Sequence, residues 1–419
     1  MTKSHAACRW SQLLVVYILT LVAGCASLGP QLPLPMTDDT EPDDVALSVR
    51  TLGSDGEFEL LSSAEVARRL QAACCERPLH ILALSSGGAS GAFGAGALVG
   101  WTSLGTRPEF TVVTGVSAGA LIAPLAFLGP SWDERVTAIY TTGLTDGLFQ
   151  SRGLGALFGS SVYSAEPLRR LIEQYADEPM IEAIAREAAR GRLLLVATTD
   201  FATGDAVIWD LGSIARYGGK YAKALFQSVL LASASVPGML PPVILKVRTK
   251  GGVREETHVD GGVTLPFFIA PAPTDLPQAT AASSQPAAVH LIIDGPLRHI
   301  PRRTHANAFS VFNRSVSAGL SHITRTTLEA TVAAVHQRGI SLDYAAIPAS
   351  YPLKGDFNFG MDSQRSLFEF AATCAKTERL WVPVHSAGAE RATQLPSRPA
   401  TAQCPAEDAF IEHLAALTN

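Results

Sequence analysis

Short apolar runs alternate with helical patterns along the middle of the chain. Leu79 to Leu84 is apolar except for one histidine, which is typical of a buried strand, and small residues follow it up to Gly100. Phe110 to Thr114 predicts a second short strand that ends at Gly115 and precedes a helix over 120–128. A strand, a glycine turn and a helix thus occur twice in succession. This alternation predicts an α/β fold with a mainly parallel sheet covered on both faces.

Similar elements are predicted on either side of this region. They comprise a helix opened by the capping box of Ser62 and Glu65, helices at 167–176, 179–190, about 220–235 and 304–338, strands at 192–199 and 289–293, and hairpins that turn at 203–205 and 250–252. Residues 270–288 are rich in Ala, Pro and Ser without periodicity, which indicates a surface loop or insertion.

The composition indicates a folded protein and excludes one class of partner. Of the 419 residues, 47% are hydrophobic and 17% are charged, which provides enough apolar surface for a core. The formal net charge of -5 gives no basic excess that would neutralise phosphates, so we expect no nucleic-acid binding.

The first residues have the pattern of an export signal. Lys3 and Arg9 precede an apolar run over 13–23, whose helical rise of about 16 Å is too short to span a bilayer. The segment 21–25, Leu-Val-Ala-Gly-Cys, resembles a bacterial lipobox, in which cleavage precedes a lipidated cysteine, here Cys25. The alternative is an ordinary secretory signal with an incidental cysteine.

The N-terminal pattern sets the expected division of the chain and its location. We predict a signal peptide at 1–24, a lipidated tether at 25–60, a catalytic domain at 61–345 with its core at 79–297, and a C-terminal extension at 346–419. Ala26 does not resemble the aspartate that retains lipoproteins at the inner membrane. We therefore expect a lipid anchor on the periplasmic face of a bacterial outer membrane.

The cysteines predict a disulfide and no metal site. Once Cys8 and Cys25 are set aside, Cys74, Cys75, Cys374 and Cys404 allow three pairings, and sequence proximity favours Cys374 with Cys404. Neither a zinc spacing nor a calcium-loop pattern occurs, so we expect no metal and no other cofactor.

Residues 115–119, Gly-Val-Ser-Ala-Gly, have the spacing of a nucleophile elbow. They lie between a predicted strand and a predicted helix, and a glycine on each side relieves crowding in a turn that exposes the hydroxyl of Ser117. The alternative is a small-residue turn that allows a helix to pack close to the sheet.

A glycine-rich segment, 86–91, follows the first strand and opens a helix. A P-loop requires Lys and Ser or Thr after its final glycine, but Ala97 and Leu98 follow Gly96, and a dinucleotide fingerprint fails at Val99. The remaining interpretation is an oxyanion hole formed by N–H groups near Gly87 and Gly88.

Asp260 is the candidate base for the serine. It ends a predicted strand and precedes Gly261 and Gly262, which permit a close approach of the backbone. A carboxylate with its ordinary pKa near 3.9 is a poor base, so it must be partly desolvated and lie within about 3 Å of the hydroxyl. The alternative is a plain Asp-Gly hairpin turn.

Together these three motifs resemble the patatin-like phospholipases, over about 79–297. The resemblance includes the stretch 232–238, Ala-Ser-Ala-Ser-Val-Pro-Gly, ahead of the aspartate strand. It implies a patatin-like three-layer α/β fold and hydrolysis of lipid or phospholipid acyl esters by a Ser-Asp dyad. By the same resemblance Ser117 is the nucleophile, Asp260 the base, and Gly87, Gly88 and Ala89 the oxyanion donors.

Two departures from the family pattern leave alternatives open. Ser86 stands where the family usually has glycine, and Ser90 stands where it usually has a basic residue. One alternative is a triad that uses His258, which shares a strand face with Asp260. The other is a non-catalytic lipid-binding lipoprotein with a patatin fold.

Overall fold

The computed structural model describes residues 49–74, 78–148, 160–269, 287–298, 306, 308–353, 358–384 and 402–407. The predicted signal peptide, the lipobox with Cys25, most of the predicted tether and most of the loop at 270–288 lie outside these residues. Within the described ranges, no helix is both long enough and apolar enough to cross a membrane.

The described elements belong to one eleven-stranded sheet with helices around it. The strands are β1 (Val49–Leu52), β2 (Phe58–Leu60), β3 (Leu79–Leu84), β4 (Val112–Val116), β5 (Leu193–Asp200), β6 (Ala206–Asp210), β7 (Val243–Thr249), β8 (Gly252–Asp260), β9 (Ala287–Ile293), β10 (Ser341–Ala346) and β11 (Val382–Val384). The helices are α1 (Ser63–Cys74), α2 (Gly91–Leu104), α3 (Ala118–Leu128), α4 (Asp133–Thr141), α5 (Glu166–Tyr175), α6 (Glu178–Ala189), α7 (Leu211–Tyr217), α8 (Gly219–Ser233), α9 (Ala308–His336) and α10 (Met361–Lys376).

The centre of the sheet is parallel. The strand order is β11-β10-β9-β3-β4-β5-β6-β1-β2, with β8 pairing to β5 and β7 pairing to β8. The five strands from β10 to β5 in this order pair in parallel, whereas β2, β6, β7, β8 and β11 form antiparallel pairs. The predicted α/β fold with a mainly parallel sheet is therefore confirmed, and so are both predicted hairpins, β5 with β6 and β7 with β8.

Alternating side chains of the central strands feed two separate cores. On β3, Leu82 and Leu84 pack into a core with α2, α3 and α10, whereas Ile81 and Ala83 pack into a second core with α1 and α9. Burial of both faces explains the continuous apolar run of this strand, because neither face meets water. The sheet is thus the middle of three layers.

The predicted tether boundary at residue 60 is wrong. The strands β1 and β2 lie within the predicted tether, yet β1 pairs with β6 and extends the sheet. The side chains of Val49, Leu52 and Phe58 are buried, which stabilises this edge. Strands this short give too few alternating positions for a periodic pattern to stand out.

The predicted boundary between 345 and 346 does not separate two structural units. β10 runs across it, and β11 adds a further strand to the same sheet. The helix α10 packs so closely on α2 that a Cβ at Gly96 would lie 2.1 Å from the Phe368 carbonyl oxygen. The favoured disulfide between Cys374 and Cys404 is confirmed, and it joins α10 to residues 402–407.

Candidate active site

Ser117 occupies a strained turn between β4 and α3. Its φ of 54° and ψ of -119° are rarely adopted by a residue with a side chain. A Cβ at Gly115 would lie 2.7 Å from the Gly119 carbonyl oxygen, and one at Gly119 would lie 2.4 Å from that of Leu84. The two glycines are thus required by contact, as the nucleophile-elbow spacing predicts. The strand continues through Gly115 and ends at Val116, one residue beyond the predicted end.

Asp260 contacts the serine directly. Its Oδ2 accepts a hydrogen bond of 2.6 Å from the Ser117 hydroxyl, and its Oδ1 accepts one of 2.7 Å from the N–H of Gly262. A Cβ at Gly261 would lie 2.4 Å from the Ala197 carbonyl oxygen, so the glycine lets the end of β8 approach β5. Burial raises the pKa of Asp260 to about 7, although both hydrogen bonds act to lower it. Such a carboxylate is a competent base near neutral pH.

His258 does not reach the serine. Its Nδ1 lies 3.0 Å from the Thr198 hydroxyl, and its Nε2 lies 3.2 Å from Glu256 Oε2. The ring also packs edge-on against Trp209. Both ring nitrogens are therefore engaged away from Ser117, and the geometry does not form the alternative triad.

The same histidine belongs to a buried group of possible metal ligands. Ligand atoms of Asp200, Glu256 and His258 all lie within 4.8 Å of one another. However, Arg50 and Arg254 donate hydrogen bonds to Glu256. Burial acts to raise the pKa of Glu256, but the hydrogen bond from His258 and the charge of Arg50 lower it to about 2. We interpret the group as an ion-pair network that joins β1 to β8.

The glycine-rich segment forms a 3-10 turn over Gly88–Ser90, between β3 and α2. The first hydrogen bond of the turn is donated by the Ser90 N–H to the Gly87 carbonyl oxygen at 3.0 Å. The N–H groups of Gly88 and Ala89 come before Ser90 and therefore have no acceptor within the turn. Gly88 has a φ of 55°, which a residue with a side chain rarely adopts. Gly87 and Gly88 line the same cleft as Ser117, whereas Ala89 lines a smaller cavity beside α10. Of the three predicted oxyanion donors, Ala89 is therefore the one that does not line the cleft with Ser117.

The two serines that depart from the family pattern have different surroundings. Ser86 lines the cleft, and its φ is not positive, so the conformational freedom of a glycine is not required there. Its N–H donates to the Pro266 carbonyl oxygen at 2.8 Å, which fixes the start of the turn. Ser90 is buried at the end of the turn. Serine at position 86 therefore adopts an ordinary backbone conformation where the family usually has glycine.

The cleft above Ser117 has a volume of about 390 Å³. One wall is formed by α9, whose side chains Val316, Leu320 and Ile323 face the carboxyl ends of the strands. Val236 and Val263 add further apolar surface, and the described lining is mainly apolar. A mostly apolar cleft with a few convergent polar groups suits a fatty acyl chain.

Sequence reasoning missed two residues near the turn. Asp294, directly after β9, lines the cleft, and Gln364 on α10 donates a hydrogen bond of 2.7 Å to the Ala89 carbonyl oxygen. The position of Asp294 at the carboxyl end of a predicted strand was an available signal, because ligands bind at that edge of open α/β sheets. Gln364 gave no such signal, because it lies inside an ordinary amphipathic helix.

A family model covers the residues of this site. Residues 82–272 match the family model described as patatin-like phospholipase, a range that includes the turn, Ser117 and Asp260. The crystal structure of VipD from Legionella pneumophila is similar, with 12% sequence identity and a TM-score of 0.34 over 80% of this chain and 72% of that chain. No curated protein sequence matches the chain. The chain therefore has a patatin-like phospholipase domain at 82–272 and a patatin-like three-layer fold.

Proposed function

We propose that this protein is a serine acyl hydrolase that cleaves fatty acyl esters of lipids or phospholipids. The observation that carries the proposal is the hydrogen bond of 2.6 Å between the Ser117 hydroxyl and Asp260 Oδ2, at the base of a mainly apolar cleft. The family match supports the same class of reaction.

In the proposed acylation step, the Ser117 hydroxyl proton passes to Asp260 Oδ2 while Oγ attacks the ester carbonyl carbon. The carbonyl oxygen becomes an oxyanion and accepts hydrogen bonds from the N–H groups at the start of the Gly88–Ser90 turn. The C–O bond to the alcohol then breaks, and the protonated Asp260 returns its proton to the leaving oxygen. The acyl group remains on Ser117.

Deacylation repeats this sequence with water as the nucleophile. Asp260 accepts a proton from the attacking water, the same turn binds the second oxyanion, and the proton then goes to Ser117 Oγ as the fatty acid leaves. Because Asp260 is both base and acid, a pKa near 7 suits both steps at neutral pH.

A fluorophosphonate ester tests the nucleophile directly, because it labels only an activated serine. We expect the purified wild type to be labelled at Ser117 and to hydrolyse a p-nitrophenyl acyl ester, and we expect Ser117→Ala and Asp260→Asn each to abolish both readouts. Because the two residues act as a unit, the double variant should lose no more than either single one. His258→Gln serves as the matched control and should be labelled at a near-normal rate. A folded wild type that takes no label would favour the non-catalytic lipid-binding alternative.

We further propose that the hydrolase is membrane-anchored through a lipid on Cys25, at the periplasmic face of an outer membrane. The lipobox-like segment 21–25 and Ala26 support this proposal. A random coil of the length that separates Cys25 from β1 would reach about 25 Å, enough to hold the cleft near its lipid substrate. In Cys25→Ser we expect no incorporation of labelled palmitate and loss from the membrane fraction. Unchanged label and fractionation would contradict the anchor but not the enzymatic activity.

A further inference from the structure

Asp294 is a buried carboxyl group beside the Gly88–Ser90 turn. Its side chain is 1% exposed and its Oδ1 accepts a hydrogen bond of 2.8 Å from the Gly94 N–H. Its own backbone N–H donates to the Ser85 hydroxyl at 2.9 Å. Within the described residues, Oδ2 has no hydrogen-bond partner.

These contacts fasten both ends of the segment that carries the turn. Ser85 directly follows β3, and Gly94 lies in the first turn of α2, so Gly88–Ser90 lies between the two attachment points. Between these two points Gly87 packs closely against Asp294, because a Cβ at Gly87 would lie 2.2 Å from the Asp294 Cβ. A side-chain change at Asp294 would therefore release the Gly94 end of the segment, while the backbone hydrogen bond to Ser85 remains.

The protonation state follows from the same geometry. An ionised carboxylate buried with a single N–H donor is strongly disfavoured, and burial raises the pKa of Asp294 well above its usual range. Oδ2 is the oxygen without a donor, so it is the oxygen that carries the proton. A neutral acid places no negative charge behind a turn that must bind a negative oxygen.

We propose that Asp294 is a positioning residue, which holds the oxyanion turn in its working geometry as a neutral carboxylic acid. The inference rests on the proposed hydrolase mechanism. It predicts that the shape and hydrogen-bonding capacity of Asp294 matter, whereas a negative charge does not.

The variants Asp294→Ala and Asp294→Asn separate these requirements. Asparagine keeps the carbonyl oxygen for the Gly94 N–H and is neutral, so we expect kcat within about threefold of wild type. Alanine keeps the Cβ that lies next to Gly87, but it releases the Gly94 N–H and leaves a gap beside Gly94. Because loss of one oxyanion donor costs about 10²- to 10³-fold in kcat, partial misplacement of the turn should cost about 10- to 100-fold with little change in KM.

Hydrogen exchange of peptides that cover residues 85–94, followed by mass spectrometry, gives a readout independent of activity. Exchange should be faster in Asp294→Ala than in wild type, and close to wild type in Asp294→Asn. Val66→Ala, which removes buried atoms from α1 in the other core, is the control for general destabilisation and should leave kcat and this peptide unchanged.

Each outcome is decisive. Wild-type kcat and wild-type exchange in folded Asp294→Ala would overturn the positioning role, and a loss in Asp294→Asn as large as that in Asp294→Ala would overturn the neutral acid. A rise in KM without a fall in kcat would assign Asp294 to substrate binding instead. If the wild type hydrolyses no ester, the proposed function fails, and the exchange rates alone decide whether Asp294 holds the turn.

Discussion

Asp260→Asn should stabilise the fold at neutral and alkaline pH while abolishing hydrolysis. Burial raises the pKa of Asp260 from 3.8 to about 7. Between these two values the native carboxyl group retains a proton that the unfolded chain has released, so wild-type stability falls as pH rises. At 1.36 kcal/mol for each of about three pH units, the ionised carboxylate costs the native state up to about 4 kcal/mol above pH 7. Asparagine does not ionise and avoids this cost.

The assay is urea unfolding of both proteins, monitored by circular dichroism, from about pH 4 to about pH 8.5. Every other titrating group is common to the pair, so the difference in the free energy of unfolding isolates position 260. As the pH rises, the free energy of unfolding of Asp260→Asn should increase relative to that of the wild type by up to about 4 kcal/mol. Most of this change should be complete near pH 7. The acid limb of kcat/KM in the wild type should have its midpoint near the same pH. A stability difference that is constant with pH would refute the assignment of a desolvated base.

Four further predictions concern the residues that hold the site in place and the absence of a metal requirement. Gly119→Ala should destabilise the protein by about 1–3 kcal/mol or prevent folding, measured by thermal melting, because the new Cβ would lie 2.4 Å from a backbone oxygen. Cys374→Ser should lower the free energy of unfolding in urea by about 3–4 kcal/mol, since the disulfide constrains the unfolded chain over a sequence separation of 30; an unchanged free energy would contradict this. Gln364→Leu should lower kcat more than it raises KM in steady-state assays, because the Ala89 carbonyl oxygen loses its donor. Exhaustive chelation should leave the hydrolysis rate unchanged, and activity restored by calcium would contradict this.

The reactive pair could be predicted from sequence because close backbone contact restricts it. Gly115, Gly119 and Gly261 each stand where a side chain would collide with backbone, so both Ser117 and Asp260 are flanked by glycines that the sequence displays. The central strands could also be predicted from sequence, because burial on both faces makes them continuously apolar.

The supporting residues could not be predicted in the same way. Asp294 contacts Gly94, and Gln364 contacts Ala89, across 200 and 275 positions of sequence. The strand end marks Asp294 as a residue of the cleft, but no local pattern encodes either contact. The edge strands β1 and β2 were assigned to a tether for a related reason. β1 pairs with β6, which follows it by more than a hundred residues, and β2 pairs with β1. Tertiary pairing overrides weak local propensity here.

The position of α10 in the chain has a consequence for biosynthesis. A chain is made and delivered from its N-terminus, so Ser117 and Asp260 are present long before Gln364 and the rest of α10. Until this helix arrives, α2 lacks the neighbour that contacts Gly96, and the Ala89 carbonyl oxygen lacks its donor. A nascent or C-terminally clipped chain that lacks α10 therefore has Ser117 and Asp260 without these two contacts. In the proposed hydrolase, the turn therefore gains this support only after α10 has been synthesised.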